Sequence, residues 1–150
     1  MLLLTVLICN GGLAEDVEEL HGNKIMDNSF LLEEAYNQEP GVIQHIQTFR
    51  YLEKSENWEY SFTQEWPVPG QRHQLSYTIP VSYLNDPVNE TNIGDVALNY
   101  RYQLLFQEAV ALAPRFSTLL PTGDYKEGFG SDALGYQMNI PLSLELSGKL

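Results

Sequence analysis

The sequence predicts an all-β fold of long antiparallel strands joined up and down. Three observations predict it. The first is a strict two-residue period across residues 95–104. Val96, Leu98, Tyr100, Tyr102 and Leu104 are apolar, and Asp95, Ala97, Asn99, Arg101 and Gln103 stand between them, a pattern that a strand satisfies and a helix does not. The second is strand length. Most alternating segments run roughly 9–13 residues, whereas strands of soluble proteins peak near 5–6. The third is the connections, which alternate between short and long.

The elements follow in order. Residues 1–14 open with an apolar run, Met1 to Ile8, and reach Gly12-Leu13-Ala14, with small residues at the two positions a signal peptidase reads. The expectation is a signal peptide, although a positively charged start is missing. Residues 15–40 form an acidic N-terminal segment with little periodicity. Its stretch from Phe30 to Tyr36 could make two helical turns, ended before Pro40. From Gly41 the text becomes β. Residues 41–51 carry β-formers with mixed faces, Ile43, Phe49 and Tyr51 sharing a side with His45 and Gln47. In residues 58–66, Trp58, Tyr60, Phe62 and Trp66 alternate with Glu59, Ser61, Thr63 and Glu65. Pro67-Val68-Pro69-Gly70 is a turn. In residues 72–83, His73, Leu75, Tyr77, Ile79, Val81 and Tyr83 oppose Gln74, Ser76, Thr78, Pro80 and Ser82.

After the segment at 94–106 a near-minimal turn leads to residues 110–120. There Val110, Leu112 and Phe116 oppose Ala111, Ala113, Arg115 and Ser117, so the two segments form a hairpin. Residues 121–133 form a glycine-bearing loop. The last alternating segment, residues 134–146, sets Leu134, Tyr136, Met138, Ile140, Leu142, Leu144 and Leu146 against Gly135, Gln137, Asn139, Pro141, Ser143 and Glu145. Pro80, Pro114 and Pro141 fall inside strand patterns, so each is expected at a bulge or at a position outside the hydrogen-bond ladder.

Six strands of this length fit an antiparallel up-and-down outer-membrane β-barrel, whose strands need about 9–11 residues to cross the bilayer. Short turns on one side and long loops on the other fit it too. Trp58, Tyr83 and Tyr51 would lie near the outer interface, and Trp66 and Phe106 near the inner one. Single-chain barrels begin at about eight strands. The expectation is therefore the incomplete, N-terminal part of a larger barrel over residues 41–150, or a barrel completed by several copies as a homo-oligomer. The other readings are a soluble secreted β-sandwich or lipocalin-like binding module, in which the apolar face is an ordinary core, and a barrel with a structural or lipolytic role.

Composition excludes several classes. A net charge of −12, with only 8 basic residues, argues against nucleic acid, which needs clustered Lys and Arg. A hydrophobic fraction of 43% argues against disorder. The single Cys9 rules out a disulfide framework or a cysteine-based metal site. His21, His45 and His73 are too scattered for a metal centre, and no nucleophile-and-base signature stands out, so neither catalysis nor a cofactor is expected. Asp124, Glu127 and Asp132 lack calcium-loop spacing. Gly128, Gly130 and Gly135 precede a strand rather than a helix, which speaks for a flexible loop and against a phosphate cradle.

Phe30 to Val42 resembles the opening of a family of bacterial outer-membrane proteins regarded as transporters and also labelled a meta-pathway phenol-degradation family. Trp66-Pro67-Val68-Pro69, Arg72 to Pro80, Gly94 to Tyr102 and Leu120 to Tyr125 resemble it as well, the likeness covering roughly residues 28–147. The resemblance implies a long barrel in the outer membrane more firmly than a cargo, and brings no catalytic motif. In the barrel reading, Asp95, Asn99, Arg101, Gln103, Arg115, Gln137, Asn139 and Glu145 point into the lumen. Inward Arg facing acids can filter solutes by charge and size, or can simply hold a plugged barrel together. The function expected is passive passage of small molecules, hydrophobic or aromatic ones included, across the outer-membrane lipid.

Overall fold

The computed structural model describes residues 2–11, 35–107 and 109–144. The strands are β1 (Leu2–Gly11), β2 (Val42–Leu52), β3 (Asn57–Pro67), β4 (His73–Leu84), β5 (Glu90–Ile93), β6 (Val96–Tyr102), β7 (Leu105–Gln107), β8 (Val110–Leu112), β9 (Arg115–Leu120), β10 (Gly135–Asn139) and β11 (Leu142–Leu144). All pairings are antiparallel, and no helix occurs among the described residues.

All six segments expected from periodicity are strands, and the last three are each interrupted. β4 pairs with β5 through Val81–Leu84 and with β6 through His73–Thr78. Between them the Gly94 N–H donates to the Pro80 carbonyl at 2.9 Å. β6–β7, β8–β9 and β10–β11 break at one common level. There the Tyr102 N–H donates to the Pro114 carbonyl at 3.0 Å, Leu104 to Leu112 at 2.9 Å and Ala113 to Pro141 at 3.2 Å. Each proline lacks the donor a ladder needs but still offers its carbonyl. The bonds across the interruptions therefore keep the strands adjacent.

The main sheet runs β1-β2-β3-β4-β6-β9-β10, and a smaller one runs β11-β8-β7. Among the described residues the sheet does not close on itself, so the fold observed is an open antiparallel sheet. β1 falls inside the span read as a signal peptide and pairs with β2 along its whole length, from Leu2–Tyr51 to Gly11–Val42. The helical turns expected at 30–36 are not formed at Ala35 and Tyr36, the rest of that stretch lying outside the described residues. The backbone there is bonded by side chains of the sheet instead, which forestalls helical hydrogen bonding.

Burial is inverted. On one face Gln44, Glu65, Gln74, Ser76, Asn99, Arg101, Gln103 and Ser117 are all buried, Gln103 at 1% exposure. On the other, Leu98 is 49% exposed, Phe116 48%, Tyr136 65% and Met138 66%. Register carries this through the sheet. Ser76, Asn99 and Ser117 occupy one inner row, and Leu75, Tyr100, Phe116 and Met138 one outer row. The few polar groups of the outer face bond one another: His45 Nε2 lies 3.2 Å from Gln64 Oε1, and the Tyr77 and Tyr60 hydroxyls donate to Gln64 and Gln47 at 3.2 and 2.9 Å.

Tyr51, Trp58 and Tyr83 share one row, with the Trp58 and Tyr83 rings stacked 6.2 Å apart. Phe106 departs from the girdle expectation. Its ring meets Tyr36 edge-on at 5.7 Å on the inner side. Leu104 and Leu105 are both exposed, and two consecutive outward residues form a bulge that flips the parity of β7. With Ala35, Tyr36 and Ala111, Phe106 makes the compact apolar cluster of the inner face.

The loop at 121–133 is tightly folded rather than loose. Phe129 N–H donates to the Asp124 carbonyl at 2.8 Å. A Cβ on Gly123 would lie 2.2 Å from the Phe129 carbonyl oxygen, and one on Gly130 2.6 Å from that of Gly123. Only glycine permits this backbone approach. Gly123→Ala is therefore expected to spring the loop. Limited proteolysis should then cut faster at Lys126, while amide exchange in β2 to β4 stays unchanged.

Candidate functional site

The alternation that makes the strands also gathers the site, because every second residue of six neighbouring strands falls on one side. Residues 35–38 cross that side, and the sheet binds their backbone with side chains. Gln103 Oε1 accepts from the Asn37 N–H at 2.8 Å, and its Nε2 donates to the Ala35 carbonyl at 2.8 Å. Gln74 Oε1 accepts from the Gln38 N–H at 2.8 Å, while its Nε2 is fixed by Glu65 Oε2 at 2.9 Å. Arg101 donates to the Tyr36 carbonyl at 3.0 Å. Asn37 Nδ2 donates to the Gln71 carbonyl at 2.8 Å, and Gln38 donates to Gln44. Tyr36 lies over Ala111, whose small side chain leaves room for the ring.

Of the residues expected to line a lumen, Asn99, Arg101 and Gln103 are buried on this face. Asn99 donates to Ser76 Oγ at 3.1 Å. Arg115 is the direct cross-strand partner of both Arg101 and Asn139, so the two arginines stand level. Like charges placed opposite one another cost stability, and the Tyr36 carbonyl offers Arg101 a negative partial charge in return. Gln137 and Asn139 lie on the same face of β10 and bond each other at 3.1 Å; Gln137 is exposed. Glu145 lies outside the described residues. Asp95 is engaged apart from them. It sits between β5 and β6 and ties down the loop at 121–133.

Asp95 accepts from Ser131 Oγ at 2.7 Å, from the Ser131 N–H at 2.8 Å and from the Gly123 N–H at 3.1 Å. The Ser131 hydroxyl, and then the backbone donors, hold its carboxyl below the usual carboxylate range, against the opposing effect of burial. In the same loop Asp124 caps its own turn through the Lys126 N–H at 3.0 Å. Among the described residues, no three His, Cys, Asp or Glu side chains gather as a metal site would require. His73 contacts Tyr100, Nδ1 lying 2.6 Å from the hydroxyl, and its ring lies 5.1 Å from that of Tyr102.

Gln74, Ser76, Gln44 and Glu65 were legible only as the polar half of their strands. Periodicity did not place Tyr36 and Asn37 on the polar face, because residues 15–40 have little of it. No family model, curated protein or solved structure matches the chain.

A carboxylate with a lowered pKa stabilises the fold above its unfolded value and loses that contribution as pH falls through the folded one. The Gly123 and Ser131 amides are therefore expected to keep their exchange protection at neutral and mildly acidic pH. They should lose it below the usual carboxylate range, and Asp95→Asn should remove the pH dependence.

Proposed function

We propose that the chain is part of an outer-membrane β-barrel through which small molecules pass down their gradient, the polar face lining the passage and the apolar face meeting lipid. The observation that carries this reading is the inverted burial. In water, leaving a large apolar side chain exposed forgoes about 1.5–3 kcal/mol. The outer rows of β6, β9, β10 and β11 expose Leu98, Tyr100, Phe116, Tyr136, Met138, Leu142 and Leu144 together. A soluble sandwich would bury that face and wet the other. Here Gln74, Gln103 and Asn99 are buried instead, as befits a wall that is apolar outside and polar inside.

Dimensions agree. Trp58 and Trp66 are eight residues apart on β3, about 26 Å at about 3.3 Å per residue. With a tilt of about 40° that spans about 20 Å, comparable to an apolar band of about 25 Å. The outward His45, Gln47 and Gln64 satisfy one another and Tyr60 and Tyr77, which lowers the cost of polar groups against hydrocarbon. In lipid an open sheet edge leaves unpaired backbone groups that cost several kcal/mol each. Further strands, from more of the chain or from other copies, must therefore complete the wall. The resemblance to the outer-membrane transporter family points the same way, as does the signal-like run at 1–14, whose removal would bare the edge of β2.

Three measurements test the reading. Spin labels placed singly at Tyr100 and Ile79 in liposome-reconstituted protein are expected to report contact with acyl chains, and labels at Asn99 and Ser76 are not; the reverse pattern overturns it. Arg115→Ala should shift the reversal potential in a planar bilayer toward cation selectivity, since it removes a fixed positive charge from the lining. Absence of any solute flux through the complete protein in liposomes would refute passage.

A further inference from the structure

Residues 35–38 are held in a manner that a packed loop does not require. Gln103 bonds the N–H of Asn37 and the carbonyl of Ala35 with one amide, both at 2.8 Å. That is the two-residue donor–acceptor reading which a neighbouring strand would make with its backbone. Gln74 repeats half of it at Gln38, oriented by Glu65. Arg101 takes the intervening Tyr36 carbonyl at 3.0 Å. Side chains from β4 and β6, and from the residue just after β6, thus bind an extended backbone that crosses the inner face. A large apolar contact is made by Tyr36 against Phe106, at 5.7 Å, in the cluster with Ala111.

We infer that the inner face carries a backbone-recognising site occupied by residues 35–38 of the chain itself, and that this segment is a displaceable stopper whose release opens the passage. The inference rests on the passage reading above. Three features favour a seat that can be vacated. Apart from the Gln71 carbonyl, which accepts from Asn37 Nδ2, the bonds to the segment come from side chains rather than from the ladder, so the sheet stays intact without it. The groups left behind are amides and a guanidinium that water can solvate. The apolar contribution is one aromatic contact over alanines, small beside the burial that fixes a core element.

The test uses the complete protein with Cys9→Ser and a reporter at Ala35→Cys. This position is fully buried, and its bond to Gln103 is through the backbone carbonyl. Two release variants are compared with this parent. Gln103→Ala removes the amide, and Tyr36→Ala removes the ring without touching a strand residue. Labelling of position 35 by a membrane-impermeant maleimide is expected to be slow in the parent and about tenfold faster in each variant, the scale of losing one buried hydrogen-bonded pair. Single-channel conductance should rise with it. Labelling as fast in the parent as in the variants overturns the seating. Faster labelling with the same non-zero conductance overturns the stopper and leaves the passage standing. No conductance in any of the three overturns both.

Discussion

The structure depends on one constraint: polar groups buried on the inner face of the sheet must find partners, and a strand's alternation puts many of them there at once. Gln74, Gln103 and Arg101 are long enough to reach the backbone of residues 35–38, and Asn99 reaches a neighbouring side chain of the sheet. Glu65 fixes Gln74, Ser76 takes Asn99, and the Tyr36 carbonyl takes Arg101. Were that segment absent, Gln74, Gln103 and Arg101 would each need water in its place. A face of this kind is either wet or bridged, and bridging gives the segment its place.

The same alternation fixes the opposite face without further choice. Rows of Leu, Tyr, Phe and Met lie outward across β4, β6, β9 and β10, and a one-residue slip would exchange the faces. Register holds because the rows are continuous from strand to strand. It also survives the interruptions: β8–β9 and β10–β11 keep parity through Pro114 and Pro141, whereas the Leu104–Leu105 bulge turns Phe106 inward. That single change of parity supplies the aromatic wall against which Tyr36 rests.

Loop and sheet are joined by a different device. Asp95 stands where β5 gives way to β6 and collects three donors from the loop at 121–133. Gly123 and Gly130 let that loop fold onto itself. The carboxylate therefore acts as a fastener at the sheet's rim, its oxygens taken up by donors of the loop.

The six strands, their faces and the trouble caused by their prolines could be read from residue order, because a period of two needs no knowledge of neighbours. Asn99, Arg101, Gln103, Arg115, Gln137 and Asn139 were placed on one face for the same reason. Tertiary structure alone decided that Arg101 and Arg115 stand level, that Asp95 serves the loop, that Phe106 faces inward, and that residues 35–38 cross the polar side. Those outcomes depend on strand register and on a contact between positions about 65 apart in the chain. Local pattern encodes which way a side chain points, but not which distant backbone it will meet.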